Sequence, residues 1–287
     1  MSTAQMVGAG RLPLTRRLAS VGWLSVVALI FLTGLVVLAA VGPLIAPYDP
    51  DAVDVTNVFA GPSALHWFGT DSSGRDIFSR VIVGTRVTLL GPACVVLVSS
   101  VVGTALAVIA AWFGGWWDTV VSRAMDIVFA FPGIVVAIVA VTMFGPGIVA
   151  PVIALSVTFV PMIARILRTA ALRERNLPYV QALQVQGAPA LSIVIRHIVP
   201  NLLPFLFVQA TVGFGYALLD LSAISYLGLG LQPPAADWGL LISQGQSAIV
   251  QGYPQQALFA STLVVLTVIA VNLVGDRLAQ RYEIGER

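Results

Sequence analysis

Residues 165–204 read RILRTAALRERNLPYVQALQVQGAPALSIVIRHIVPNLLP, a basic and polar island in a strongly apolar chain. About forty residues are far more than a chain needs to turn between two membrane helices. The island divides at Gly187 into two segments with helical spacing. Over 177–186, Tyr179, Ala182, Leu183 and Gln186 fall at i, i+3, i+4 and i+7. Over 190–198, Leu191, Val194, Ile195 and Ile198 are expected to face inward, with Arg196 and His197 free to meet phosphates or an acidic surface. Gly187 lets the backbone reverse between them. Two short helices at a membrane surface suggest a docking platform. On residues alone, an amphipathic segment that only anchors a helix bundle remains equally open.

Outward from the island, composition sets the class. Of 287 residues, 58% are hydrophobic and 10% charged, with a mean hydropathy of +0.93. Soluble domains carry about 25% charged residues. The expected fold is all-α, because helices satisfy their own backbone in lipid and the uncharged runs are too long for barrel strands. Counting those runs gives six transmembrane helices: Val21–Ala46, Val87–Ala111, two within Ile127–Ala164 separated at Phe144-Gly145-Pro146-Gly147, Ile198–Leu219, and Ala257–Gly275. Pro200 and Pro204 sit at the entrance of the fifth span, where proline is best tolerated. Residues 238–256, rich in Gln and Gly, read as a loop or a short interfacial helix. The first span has the length of a retained anchor rather than a cleaved leader.

All 15 basic residues are arginines. Twelve of them, counting Arg123, fall before the first span, between spans four and five, or on the other segments that six spans would place in the cytosol. By the positive-inside rule both termini are then cytoplasmic. The expected organisation is a 1–20 cytoplasmic tail, a first helix over 21–46, an external segment over 47–86, and a five-helix core over 87–276. The core holds the 165–204 loop, and a cytoplasmic tail follows over 277–287. With no lysine, a G-x-x-x-x-G-K-[ST] phosphate loop cannot exist here, so any ATP chemistry belongs to another chain. The single cysteine, Cys94, excludes an internal disulfide and is expected to pack within a helix.

Three segments carry a family resemblance. Tyr179-Val-Gln181-Ala182-Leu183-Gln-Val-Gln-Gly187, followed by Arg196-His197-Ile-Val-Pro200-Asn201-x-x-Pro204, resembles the cytoplasmic coupling motif of ABC importer permeases. His66-Trp-Phe-Gly69-Thr70-Asp71-Ser-Ser-Gly74-Arg75-Asp76 is similar to an external segment of the C-type permease of dipeptide, oligopeptide and nickel importers. Ser225-Tyr-Leu-Gly228-Leu-Gly230-Leu-Gln-Pro233-Pro234, then Asp237-Trp238-Gly239, resembles the loop after the fifth span in the same subfamily. Order and spacing match from about Ala46 onward. Two positions depart from the pattern: Gln181 stands for the family's glutamate and Leu183 for its second alanine. Gln181 hydrogen-bonds but forms no charged pair.

The resemblance implies a bacterial inner-membrane permease subunit of an ATP-driven importer, multi-pass, most suited to dipeptides or oligopeptides. Nickel or another small solute is the alternative within the family. It implies a second permease as partner, two cytoplasmic ATPases on the 165–204 region, and an extracytoplasmic solute-binding protein. Nucleic acid is not an expected partner, and no cofactor is expected. Outside the family, a stand-alone secondary transporter or channel is the alternative. Carriers driven by ions commonly hold ionisable groups at mid-membrane. Here Asp126 lies at one entrance and Asp220 near the outer end of span five, which favours a gated pathway moved by an external motor. His66, Asp71 and Asp76 could bind a cation. Competing with that, the glycines make turns, Asp71 caps a short helix and Arg75 and Arg80 pair with nearby acids. No paired carboxylates or nucleophile constellation marks a catalytic site.

Overall fold

A computed structural model describes residues 14–284, with side chains over 22–282. Arg11, Arg16, Arg17 and Arg287, which weigh in the orientation argument, lie outside those side chains. The described residues form α1 (Leu14–Ile45), α2 (Ile77–Phe113), α3 (Gly115–Phe129), α4 (Gly133–Phe144), α5 (Val149–Arg175) and α6 (Pro178–Val185). They continue with α7 (Ala190–Ile193), a π-helical turn at Val194–Ile198, α8 (Val199–Tyr226), α9 (Trp238–Val250) and α10 (Gln255–Ile284). Five helical stretches are long and apolar enough to cross a membrane, and six if the bent α3–α4 pair counts as one span.

The uncharged runs locate the spans but misplace several ends. The second helix starts at Ile77, ten residues before the run at Val87, because Asp76 caps it and Arg80 is taken into the core. Asp76 accepts hydrogen bonds from the Ser79 amide (2.8 Å) and hydroxyl (2.7 Å). The third span is not one straight helix. It bends by 77° between α3 and α4, where Pro132 offers no N–H and disfavours helical geometry at Phe131. The fourth span runs past Ala164 to Arg175. Its arginines are held by neighbours: Arg168 donates to Asp118 of α3 at 2.5 Å, and Arg175 to the Ala111 carbonyl of α2 at 2.8 Å. The fifth helix is continuous from Ala190 to Tyr226.

Four apolar clusters hold the described bundle, one of them (Ala110, Val121, Met125, Val160 and Ala164) packing α3 against α2 and α5. At one end Leu35, Val81, Leu89, Trp238, Leu241 and Val264 join α1, α2, α9 and α10. At the other, Ala107, Ile163, Leu167, Ile198 and Leu202 join α2, α5 and α8. Between them Val95, Ala137, Leu155, Ala217 and Leu221 bring in α4. The stretch at 238–250 is neither a loop nor a surface helix. α9 is wedged among α2, α8 and α10, with Trp238 fully buried and its indole N–H donating to the Val81 carbonyl at 3.1 Å. A Cβ at Gly239 would come within 2.4 Å of the Ser222 carbonyl, so only glycine permits α9 to lie this close to α8. Cys94 is exposed on α2 rather than packed, because the stretch Val95–Ser99 turns its other face to the core.

Candidate functional site

The platform around Gly187 is built from the ends of α5 and α8. Glu174 on the last turn of α5 is the hub. Tyr179 of α6 donates its hydroxyl to Glu174 Oε1, and Asn201 of α8 donates to the same oxygen at 2.6 Å. Asn201 also reaches the Tyr179 hydroxyl at 3.1 Å, closing a three-residue ring. Partial burial, with the Glu174 carboxylate beside it, pushes the Tyr179 hydroxyl up to about 12. The glutamate that Gln181 lacks is therefore not supplied by Glu174, whose carboxylate faces inward to this network. Gln181 itself is exposed and donates to the Asn176 carbonyl at 3.3 Å.

The sequence places α6 correctly. Pro178 opens it, where the missing N–H costs no helical bond, and Val180 is its fully buried anchor. α6 ends at Gly187, with φ +77°. The Gly187 amide donates to the Gln184 carbonyl (3.0 Å) and the Ala188 amide to Leu183 (3.1 Å). That paired closure is the Schellman arrangement, which asks for a left-handed residue at this point. Tyr179, Ala182 and Gln186 are exposed and Leu183 is half-buried.

Beyond Gly187 the inward set differs from the spacing argument. Leu191 and Ile195 are exposed, at 70% and 56%, while Ile193 and Ile198 are buried. The π turn at Val194–Ile198 accounts for the shift, since its wider i→i+5 turn rotates Ile198 back toward the face of Ile193. Arg196 and Pro200 are exposed. His197 is half-buried, with its ring edge-on to Tyr179 at 6.1 Å. Val185, at 88% exposure, joins Leu191 and Ile195 in an uncovered apolar fringe around the turn. Sequence spacing missed Val185 because it lies off the Tyr179–Leu183 face.

At the opposite end, residues 46–76 fold without regular structure but are tightly bonded. Gly69 and Gly74 have φ +78° and +75°. A Cβ on Gly74 would lie 1.8 Å from the Asp54 carbonyl oxygen. Thr70 donates its hydroxyl to the Asn57 carbonyl and accepts from the Ala60 amide at 2.8 Å. Asp71 does not cap a helix. It closes a turn on the amides of Ser73 (2.7 Å) and Arg75 (2.9 Å), and the helix cap is Asp76. His66 Nδ1 lies 2.9 Å from Asp76. Asp71 turns its carboxylate to those amides and to Arg80, so His66, Asp71 and Asp76 do not converge on one point. Among the described residues no group of three such ligands does.

Arg80 pairs with a nearby acid as expected: it is fully buried, 3.8 Å from the Asp71 carboxylate, and it also donates to Gln244 of α9 at 3.2 Å. The Nε of Arg75 is buried without a hydrogen-bond partner. The third signature closes the same end: Asp237 caps α9 through the Leu240 amide at 3.1 Å, and burial raises its carboxyl above the ordinary range.

Residues 103–284 match the model of the family described as binding-protein-dependent transport system inner membrane component. Residues 23–62 match the N-terminal TM domain of oligopeptide transport permease C. The dipeptide transport system permease protein DppC of Alkalihalophilus pseudofirmus is 37% identical over 255 residues, 89% of this chain and 84% of that one. The glutathione transport system permease protein GsiD of Pectobacterium atrosepticum is 37% identical over 255 residues, 88% of this chain and 84% of its own. Among solved structures, a chain of the MetNI methionine ABC transporter in an inward facing conformation superposes with a TM-score of 0.56 at 20% identity. That match covers 71% of this chain and 97% of the other, and it speaks to the fold.

Proposed function

This chain belongs to the binding-protein-dependent transport system inner membrane components, the permeases of ABC importers, and on that premise we propose that it moves peptides through a pathway shared with a second permease. Relatives named for a dipeptide and for glutathione support a short peptide as cargo. The platform at 165–204 is the docking surface for two cytoplasmic ATPases. Residues 46–76 and the turns that flank α9, 227–237 and 251–254, face outside and receive a solute-binding protein. Both termini are cytoplasmic.

The observation that carries this reading is the Glu174–Tyr179–Asn201 ring. It bonds α6 to α5 and to α8 at once. A rigid displacement of α6 by an ATPase therefore moves two membrane helices together, the kind of rocking that alternates access. The exposed apolar fringe of Val185, Leu191 and Ile195, with Arg196 beside it, is the surface on which the ATPase sits. Tyr179, Gln181, Ala182, Leu183, Gly187, Arg196, His197 and Pro200 form or support it. The hydrolysis itself belongs to the partners, since no lysine is present for a phosphate loop.

The test is uptake of a radiolabelled dipeptide, and separately of glutathione, by cells with and without this chain. Uptake of at least one that disappears on deletion and returns on complementation is expected. Unchanged uptake of both, with loss of a different solute such as nickel, would refute the peptide assignment. Asn201→Ala is expected to leave ATP hydrolysis by the assembled importer running while lowering the peptide moved per ATP.

A further inference from the structure

Asp220 lies six residues from the end of α8, within a helix long and apolar enough to cross a membrane, and is half-buried. No hydrogen bond or ion pair reaches its carboxylate among the described residues, and it is not one of the residues with further contacts. An ionised carboxylate placed this way in a membrane helix is costly unless a cation or water meets it.

Its neighbours on the helix define a face. Tyr216, one turn earlier, is 56% exposed. Gln209, seven residues before Tyr216, lies on the same side by helical period, and its side-chain oxygen is buried without a partner. The opposite side of α8 is packed: Leu218 and Ser225 are buried, and Gly239 closes on Ser222. Asp220, Tyr216 and Gln209 thus align as a polar stripe along one side of α8, about 16 Å long at the helical rise of about 1.5 Å per residue, open at Tyr216 and partly at Asp220 and covered at the Gln209 oxygen.

We infer that this stripe lines the translocation pathway and that Asp220 receives the protonated amino group of the peptide, with the Tyr216 ring beside it. A carboxylate next to an aromatic face is a fitting pair for an ammonium group: one supplies a charge-assisted hydrogen bond, the other a cation–π contact. The single charge sits at the outer end, where solute first enters. The remainder of the stripe is neutral, which lets peptides of varied side chains pass. The inference rests on the peptide reading above.

The test uses the complete importer in proteoliposomes, with radiolabelled Ala-Ala and N-acetyl-Ala-Ala as probes. Their affinities for the isolated binding protein serve as the reference. Asp220→Asn is expected to cut Ala-Ala uptake about tenfold or more, the usual effect of losing a hydrogen bond to a charged group. The ratio of Ala-Ala to N-acetyl-Ala-Ala uptake should fall toward the ratio set by the binding protein alone. Asp220→Glu should restore most of both. Equal uptake by the Asn variant overturns the inference, as does a parallel fall of both probes with the ratio unmoved. So does loss of the second permease from the purified Asn complex, which would make the carboxylate an interface residue. Failure of the wild-type importer to move Ala-Ala at all would instead refute the peptide reading.

Discussion

Substituting Gly187 separates backbone strain from steric conflict at the proposed docking platform. Its φ of +77° lies in the left-handed region, yet a Cβ built there meets no atom within 4 Å. The whole cost of a side chain is therefore conformational. For an L-residue held left-handed it is about 1–2 kcal/mol, and for a β-branched residue up to about 3 kcal/mol. If ATPase docking requires the closure at Gln184 and Leu183, that strain lowers the population of the competent platform by about 5- to 30-fold for alanine and further for valine. Asparagine tolerates the left-handed region and should lose least.

The expected order of ATPase affinity is Gly187, then Asn, Ala and Val. It would be measured by titrating the purified ATPases onto permease pairs in nanodiscs, with uptake falling in parallel. Expression and thermal unfolding of the membrane bundle should change little, because Gly187 is exposed and outside all four apolar clusters. A valine variant that docks and transports like wild type would refute the reasoning. So would an asparagine variant as impaired as valine, since the two differ chiefly in left-handed tolerance.

Gly74→Ala should be far more damaging than Gly187→Ala, because its Cβ would collide with the Asp54 carbonyl as well as strain the backbone; limited proteolysis of 46–76 should quicken markedly, and wild-type resistance would refute the packing. Arg80→Ala should destabilise the complex by about 3–5 kcal/mol, since it removes a fully buried cation from Asp71 and Gln244; a melting temperature within 1–2 °C of wild type would contradict this, by the usual scaling of melting temperature with free energy. The Tyr179 proton is held more tightly in the folded chain than at the ordinary value of 10.0. The Glu174 ring should thus contribute fully below pH 10 and be lost as pH rises from there to about 12; tyrosinate absorbance of wild type minus Tyr179→Phe would report that titration, and a midpoint near 10 would refute it. In a Cys94→Ser background, Ser192→Cys should resist an impermeant thiol reagent from outside and react from the cytosolic side; labelling from outside would reverse the orientation.

The helical membrane class, the number of spans and the position of the platform were legible from local signals. Uncharged runs report lipid exposure because a charge in hydrocarbon is expensive, and Pro178 and Gly187 mark helix boundaries through their own backbone limits. The same logic misplaced the start of α2. It stops at Arg86, the charge next to Val87, yet α2 carries both the exposed Arg86 and the buried Arg80, whose burial Gln244, 164 positions away, makes possible. It also split the 127–164 run at Gly145 but did not foresee the bend at Pro132, where an apolar stretch continues through a sharp change of direction.

α9 and the Glu174 ring were decided only by tertiary structure. Nothing near Trp238 in the chain requires it to be buried, and its place depends on a carbonyl of α2 and on the absence of a side chain at Gly239 against α8. Likewise, Glu174 is one more charge on the island in the sequence, and only the fold brings Tyr179 and Asn201 onto its carboxylate oxygen. Charge and hydropathy act through the solvent around each residue, so one sequence suffices to read them. Burial of a polar group depends on a partner brought by a distant segment, and that partner exists only once the chain has folded.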